Sequence, residues 1–259
     1  SAADATAATA AAGPAAFSPD GRLVAAIGSD GKARVWNLAT QQPTGIAVAL
    51  PVSGRSIRNA LAFSPGGKTF VTVGGNGTTA LWSVATGHRV GAPMAAGTPG
   101  GQSAAGRPAA AVAFSPDGRT LATAMDGIIR LWDTATQQET GTPMTAGPNP
   151  LYAVAFSPDG RTLATAGGDG TARLWDVATQ QEIGTPMTAG PNPLYAVAFS
   201  PDGRTLATIG GDGTARFWDV AFPAGLLAGA CAIADQSLTR QQWADYAGTQ
   251  PFQQVCPAS

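Results

Sequence analysis

Residues 151–193 read LYAVAFSPDGRTLATAGGDGTARLWDVATQQEIGTPMTAGPNP, and the chain then repeats this sequence as far as Val220 with only two changes. The changes are an isoleucine at 209 in place of Ala166 and a phenylalanine at 217 in place of Leu174. LYAVAF, RTLATAG, TARLWDV and EIGTPMT are rich in strand-forming residues, whereas SPDG and GDG are rich in turn residues. One repeat is therefore predicted to be one four-stranded antiparallel sheet.

The same pattern occurs five times along the chain. Each copy contains a Phe-Ser-Pro sequence and, later, a tryptophan, and the pairs are Phe17 and Trp36, Phe63 and Trp82, Phe114 and Trp132, Phe156 and Trp175, and Phe199 and Trp218. A single small sheet cannot bury both of its faces, so the copies are expected to stack face to face. The period of 43 residues between the last two copies is typical of propeller blades. We therefore predict an all-β fold, a β-propeller with five recognisable four-stranded blades over residues 13–220.

The predicted blades are flanked by an Ala-rich N-terminal segment, residues 1–12, and by a C-terminal extension, residues 221–259. After Val220 the chain has no counterpart of EIGTPMT, so the fifth blade is expected to lack its own fourth strand. Two arrangements would pair that edge: residues 1–12 could close a five-bladed ring, or the blades could belong to a larger ring with further blades upstream. The second is favoured, because alanine is a poor strand former and the chain begins with Ser1 rather than Met.

Composition limits the classes of partner. Charged residues make up 12% of the chain, the net charge is -1, and no basic run offers a surface for nucleic acid. No apolar run approaches the ~20 residues that a membrane-spanning helix needs. The 34 glycines and 20 prolines recur at fixed repeat positions, which indicates turns rather than disorder. A protein or peptide partner is expected, with neither nucleic acid nor membrane contact.

The SPDG and DG turns and the recurrent Trp-Asp pair resemble the WD-repeat β-propeller family. The Trp-Asp pairs are Trp132–Asp133, Trp175–Asp176 and Trp218–Asp219. In many members of that family a histidine joins a Ser or Thr, the turn Asp and the Trp in a buried hydrogen-bond network. Thr165, Asp169 and Trp175 match three of these positions, but Gly147 and Gly190 occupy the histidine position. The resemblance therefore implies an incomplete network and blades that depend more on packing.

The C-terminal extension is predicted to contain two helices between Ala224 and Gly248. Thr239 and Gln242 form a capping box for the second helix. With its two cysteines, Cys231 and Cys256, the extension resembles the helical tail of actinobacterial WD-repeat proteins whose upstream halves are signalling NTPases or protein kinases. The cysteines either form a disulfide, which would indicate an extracytoplasmic location, or remain thiols in the cytoplasm, which is slightly favoured.

The sequence predicts no catalytic, cofactor-binding or metal-binding residue. His88 is the only histidine and lies in a polar turn, where an exposed loop residue is expected. In the family that this chain resembles, the loops before the first strands and the hairpins between the second and third strands form a rim that commonly binds peptides and proteins. The candidate partner-binding residues at matching positions are Asn149, Tyr152, Asn192, Tyr195, Asp126, Asp169 and Asp212. Alternatively, the two tyrosines fill gaps between blades.

These patterns favour a non-enzymatic interaction scaffold that serves as the sensor or partner-binding module of a larger bacterial signalling protein. One alternative is a propeller enzyme, a hydrolase or lyase with its site in the central channel. Near-identical repeats argue against this, because catalysis needs unlike groups at one point. The other alternative is a purely structural repeat array.

Overall fold

The computed structural model describes residues 15–28, 30–50, 60–74, 77–96 and 110–220. Nineteen β-strands account for the regular structure of this part of the chain. They form four sheets of four antiparallel strands and one sheet of three, and each sheet corresponds to one sequence repeat. The predicted all-β fold built from blades is thus confirmed.

The strands follow one another within each blade in the order of the sequence. The first blade contains β1 (Ala15–Phe17), β2 (Leu23–Ile27), β3 (Lys32–Asn37) and β4 (Gln42–Ala49). The second contains β5 (Ala60–Phe63), β6 (Thr69–Val73), β7 (Thr78–Ser83) and β8 (Arg89–Ala95). The third contains β9 (Ala110–Phe114), β10 (Thr120–Met125), β11 (Ile128–Asp133) and β12 (Met144–Thr145). The fourth contains β13 (Leu151–Phe156), β14 (Thr162–Gly167), β15 (Thr171–Asp176) and β16 (Glu182–Thr188), and the fifth β17 (Leu194–Phe199), β18 (Thr205–Gly210) and β19 (Ala215–Asp219).

Each blade has two chemically different faces, because successive side chains of a strand point to opposite sides of the sheet. In the fourth blade Phe156 lies opposite Leu163, and Leu163 lies opposite Trp175, so these three side chains share one face. Ala164 and Leu174 are likewise paired and lie on the other face. We name the first the aromatic face and the second the aliphatic face, and use these names for the corresponding positions of every blade.

The core consists of contacts between the aliphatic face of one blade and the aromatic face of the next. Ala122 and Leu131 of the third blade pack in one buried cluster with Leu163 and Trp175 of the fourth. Equivalent clusters join the first blade to the second and the second to the third. The first strands β1, β5, β9, β13 and β17 are neighbours in that order. The blades up to Trp218 form one compact unit.

Hydrogen bonds from glutamine side chains also link neighbouring blades at their outer edges. Gln180 follows β15 with a φ of 59°, and its Oε1 accepts a hydrogen bond from the Thr142 backbone N–H at 2.7 Å. Its Nε2 donates to the Thr140 carbonyl of the third blade at 2.6 Å. Gly141 lies beside it with a φ of 72°, a backbone conformation that favours glycine. Apolar packing and these side-chain hydrogen bonds thus both hold the third and fourth blades together.

The sheet of the fifth blade has three strands in the described part of the chain, and the residues that follow Val220, where a fourth strand would come, lie outside that part. Trp175 is buried as expected, but Trp218 is only half-buried. A missing fourth strand does not by itself account for this, because Trp36 and Trp82 are also half-buried although Pro43 of β4 and Arg89 of β8 lie opposite them. The segments 1–12 and 221–259, with the predicted helices, Cys231 and Cys256, lie outside the described residues.

Candidate functional site

The hairpins between the second and third strands are built around an aspartate. In the fourth blade Asp169 Oδ1 accepts hydrogen bonds from the Thr171 backbone N–H at 3.0 Å and from its hydroxyl at 2.7 Å. Asp169 Oδ2 accepts another from Arg173 Nη2 at 3.0 Å. The fifth blade repeats the arrangement with Asp212, Thr214 and Arg216. These carboxylates therefore fix the conformation of their own hairpins.

An Asp-Gly pair between a second and a third strand, at Asp30, Asp126, Asp169 and Asp212, predicts a two-residue turn with positive φ, but of these four aspartates only Asp126 has a positive φ. A two-residue turn with positive φ at the aspartate occurs at Asp126 and Gly127, with φ values of 53° and 76°. In the fourth blade three residues connect the strands, and only the last of them, Gly170, has a positive φ (73°). The extra glycine at 168 lengthens the turn, so the Asp169 backbone need not enter the left-handed region. The second blade has Asn76 and Gly77 at the equivalent position, for which the sequence predicts the same turn, and Asn76 lies outside the described residues.

Hydrogen bonds from Arg34 and Arg216 lower the pKa of the aspartates that they contact. In the first blade Arg34 donates to both carboxylate oxygens of Asp30, at 3.0 and 2.6 Å. This hydrogen bonding lowers the pKa of Asp30 to about 2. In the fifth blade the hydrogen bonds from Arg216 and Thr214 also hold the pKa of Asp212 well below its usual range. Both aspartates are therefore ionised at neutral pH and paired with a cation.

We expect Asp30→Asn to reduce the dependence of stability on pH in acid. An unfolded aspartate has a pKa near ~3.9, so the folded carboxylate stabilises the protein fully above about pH 4 and loses this effect as the pH falls toward 2. The loss at neutral pH should not exceed about 1 kcal/mol, because the pair is largely exposed. Melting temperatures of the wild type and the variant between pH 2 and 7 would measure both this loss and the pH dependence of stability. Arg34→Gln removes the partner instead and should flatten the same region; an unchanged pH profile in both variants contradicts the assignment.

The loops that precede the first strands lie against these hairpins. The Gly168 backbone N–H donates to the Pro150 carbonyl at 2.8 Å, and the Gly211 N–H donates to the Pro193 carbonyl at 2.7 Å. Asn149 and Tyr152 flank the first of these contacts in the sequence, and Asn192 and Tyr195 flank the second. The structure therefore brings the predicted residues of the fourth and fifth blades together at one end of their sheets. We call this surface the rim.

The two tyrosines of the rim are in contact with each other. Their ring centroids are 5.2 Å apart and their planes are inclined by 55°. Each tyrosine lies at an irregularity in the pairing of its strand, between Leu151 and Ala153 or between Leu194 and Ala196. Such bulges change the direction of a side chain relative to the regular alternation. Tyr152 is half-buried and the Tyr195 side chain is 49% exposed.

The polar residues of the rim differ in how much of their hydrogen-bonding capacity is used. Asn149 and Asn192 are exposed, and no described residue hydrogen-bonds to their side-chain amides. Asp169 and Asp212 already accept several hydrogen bonds within their hairpins. Asp126 is half-buried in the turn of the third blade. Tyr195, Asn149 and Asn192 are thus the exposed rim groups that another molecule could contact.

One residue of the rim was missed by the sequence analysis. Arg173 Nη1 donates a hydrogen bond to the Ala146 carbonyl of the preceding blade at 2.5 Å, in addition to its contact with Asp169. It therefore connects the hairpin of the fourth blade to the loop of the third. An arginine four residues after the turn aspartate recurs at Arg34 and Arg216, and this spacing could have identified it.

The described residues offer few groups suited to acid–base or metal chemistry. No three His, Cys, Asp or Glu side chains among them are placed to bind a metal ion. His88 lies in an exposed turn, as predicted. Burial raises the pKa of Glu182, but this residue lies on the outer strand β16 and 3.8 Å from Arg173. Within the same residues no helix is both long and apolar enough to cross a membrane.

Comparison with known proteins agrees with the repeat structure. No curated protein matches the chain. A family model described as WD domain, G-beta repeat matches more than half of it, at residues 9–37, 52–83, 106–133, 141–176 and 184–219. Each match ends at the residue that follows the repeated tryptophan, so there is one match for each of the five blades, and the last two matches also include residues of the outer strand of the preceding blade. The chain therefore belongs to the WD-repeat family.

Proposed function

We propose that this chain is a non-enzymatic scaffold that binds a protein or peptide at the rim. WD repeats generally mediate protein–protein interactions. The observation that supports binding at the rim is that Tyr195, although it contacts Tyr152, is still half-exposed. A tyrosine that only filled a gap between blades would be covered. Tyrosine also offers a large apolar area with a polar end, a combination enriched in protein interfaces.

The chemistry of the rim suggests the kind of partner. The Tyr195 ring can pack against an apolar or aromatic side chain. The amides of Asn149 and Asn192 each provide two donors and an acceptor, which suit the backbone of an extended peptide. The charges of Asp169 and Asp212 are already paired with Arg173 and Arg216. Shape and hydrogen bonding, rather than net charge, would therefore select the partner.

The wider context of the proposal is a sensor or partner-binding module within a larger bacterial signalling protein. It is supported by the resemblance of the repeats and of the tail with Cys231 and Cys256 to actinobacterial WD-repeat proteins that carry an upstream NTPase or kinase. The sequence of the complete gene tests this part directly. An adjoining NTPase or kinase domain supports it, and a secretion signal with no further domain contradicts it.

We expect the double variant Tyr152→Ala, Tyr195→Ala to bind at least about fivefold more weakly than the wild-type protein, a loss of more than about 1 kcal/mol. The ligand would be a peptide selected against the whole chain from a random display library, and fluorescence anisotropy would give its Kd. Thr185→Ala, on the exposed outer strand β16, serves as the matched control and should leave the Kd unchanged.

Circular dichroism of each variant separates binding from folding. A folded double variant with unchanged affinity would show that the tyrosines do not contribute to peptide binding. An unfolded double variant would show that the two rings are mainly structural, in which case Tyr195→Ala alone, at the more exposed position, decides whether the rim binds. Weaker binding by the Thr185→Ala variant would show that the peptide contacts the outer edge of the blade instead of the rim.

A further inference from the structure

The outer segment of each of the first four blades contains a glycine with a positive φ, between 69° and 84°; these are Gly45, Gly91, Gly141 and Gly184. In the first, second and fourth blades the pairing with the third strand is irregular at this point. A bulge of this kind leaves backbone groups of the outer strand unpaired. Beside each glycine the strand therefore presents a backbone N–H and a C=O to a neighbouring group, and we call this place the outer opening of the blade.

In two blades a glutamine of the next blade fills the outer opening. Oε1 of Gln180 accepts a hydrogen bond from the Thr142 N–H at 2.7 Å, and its Nε2 donates to the Thr140 carbonyl at 2.6 Å. Oε1 of Gln137 accepts a hydrogen bond from the Ala92 N–H at 2.8 Å. Both glutamines have a positive φ, 59° and 58°, which is uncommon for a residue with a side chain. The outer opening is thus a backbone site that binds a carboxamide.

The outer opening of the first blade has the same backbone pattern but no occupant among the described residues. Its glycine is Gly45, and the groups beside it are the Thr44 C=O and the Ile46 N–H. A Cβ added to Gly91 would collide with the carboxamide of Gln137, whereas no described atom lies within 4 Å of a Cβ added to Gly45. Thr44 and Gly45 are exposed, so this opening is accessible to another molecule.

The opening is empty because the second blade has glycine where the third and fourth blades have glutamine. Gln137 and Gln180 each follow the tryptophan of their blade by five residues, and the residue five after Trp82 is Gly87. The second blade still lies against the opening, since a Cβ added to Gly87 would be 3.3 Å from Cγ2 of Ile46. The first two blades pack directly on each other, so the neighbour on this side is already in place and lacks only the side chain.

The chemistry of the opening favours one kind of group. A primary carboxamide carries an acceptor and a donor on adjacent atoms, which match the Ile46 N–H and the Thr44 C=O. A carboxylate has no donor for the Thr44 carbonyl, and an ammonium group has no acceptor for the Ile46 N–H. Among side chains, only those of glutamine and asparagine carry a primary carboxamide.

We propose that the outer opening at Gly45 binds the side-chain carboxamide of a glutamine or asparagine on a partner protein. The partner would take the place that Gln137 and Gln180 occupy in the next two openings. It would contact the outer edge of the first and second blades, so this site is separate from the rim. Two hydrogen bonds hold a partner weakly on their own. The opening therefore acts within a larger contact and selects a carboxamide at one position of the partner.

The test is a selection of peptides from a random display library on the full chain, with counter-selection on the variant Gly45→Ala. The added methyl group blocks the opening, and the rim is left unchanged. We expect the surviving peptides to share a glutamine or asparagine at one position. Fluorescence anisotropy should show that they bind Gly45→Ala at least about tenfold more weakly than the wild type, as the loss of two hydrogen bonds implies. Changing the shared glutamine of the peptide to glutamate should have a similar effect.

Gly184→Ala is the matched control, because Gly184 also has a positive φ and no described atom within 4 Å of an added Cβ. It should bind the selected peptides like the wild type. Melting temperatures of both alanine variants would verify that they are folded.

Gly87→Gln gives an independent test, because it supplies the missing side chain from the chain itself. The variant Gly87→Ala introduces the same strain at a φ of 69° and the same Cβ, but no carboxamide. We expect Gly87→Gln to melt about 2 °C or more above Gly87→Ala. It should also fail to bind the selected peptides.

Three results would overturn the proposal. The first is that no peptide survives the counter-selection, and the second is that the survivors share no carboxamide. The third is that Gly87→Gln melts no higher than Gly87→Ala, because the opening would then not accept this group. Peptides that are weakened by Tyr195→Ala and not by Gly45→Ala bind the rim, so the two sites are tested separately.

Discussion

Replacing Trp175 by alanine is expected to lower the free energy of unfolding by about 3 to 5 kcal/mol. Its indole is 3% exposed and packs against the aliphatic face of the third blade. Its Nε1 donates a hydrogen bond to the Thr165 hydroxyl at 3.0 Å. The substitution would therefore leave a cavity between two blades and a buried hydroxyl without its donor, and both effects destabilise the protein. Urea unfolding followed by circular dichroism would measure the loss.

Trp36→Ala provides the matched control for Trp175→Ala, because the first blade contains the same tryptophan in a different setting. Trp36 is only half-buried, and Ala26 lies where the fourth blade has Thr165, so no equivalent hydrogen bond forms. We expect this variant to lose less than half as much stability. Trp175→Phe, which keeps an aromatic ring but loses the donor, should fall between the two. Equal losses at Trp175 and Trp36 would contradict a role for the interface between blades.

The strands of the fourth blade were predicted closely because their determinants are local. The predicted strand LYAVAF is β13, Leu151–Phe156, and EIGTPMT is β16, Glu182–Thr188. Alternating small and large apolar residues define each strand, and Gly, Pro and Asp define each turn. The same reasoning predicts that the last blade lacks its own fourth strand, and this stays a prediction because residues 221–259 lie outside the described part of the chain.

Features that depend on contacts between residues far apart in the sequence could not be predicted from local sequence patterns. In the third blade ETGTPMT resembles EIGTPMT, yet its regular strand is only Met144–Thr145. Thr140 replaces Ile183 there, and the pairing near it shrinks to a single bridge between Trp132 and Glu139. The side-chain hydrogen bonds of Gln180 cross from one blade to another, and no local pattern specifies them.

The candidate site was predicted in position but not in detail. Repetition of one topology places equivalent loops at one end of the blades, so the sequence could locate Asn149 and Asn192 on a common surface. The contact between Tyr152 and Tyr195 depends on the irregular pairing at the start of each first strand, which sequence patterns do not reveal. The turn aspartates proved to be engaged within their own hairpins.

Gly170→Ala is expected to destabilise the fold by about 3 kcal/mol or more, because two costs combine at this position. Gly170 has a φ of 73°, where any other L-residue is strained by roughly 1 to 2 kcal/mol. A Cβ would also lie 2.0 Å from the Gly190 carbonyl oxygen and 2.8 Å from that of Asn192. The loop that carries Asn192 and leads to Tyr195 would have to move, and this displacement adds a further loss.

Gly213→Ala separates the two costs, because Gly213 holds the same repeat position with nearly the same φ of 77°. No described atom lies within 4 Å of a Cβ at that site, so only the backbone strain remains and about 1 to 2 kcal/mol should be lost. Chemical denaturation of both variants gives the comparison. If the two substitutions cost the same, the close approach of the rim loop to the hairpin does not restrict residue 170. If Gly170→Ala costs more and also weakens the selected peptide, the hairpin positions the rim as well as stabilising the blade.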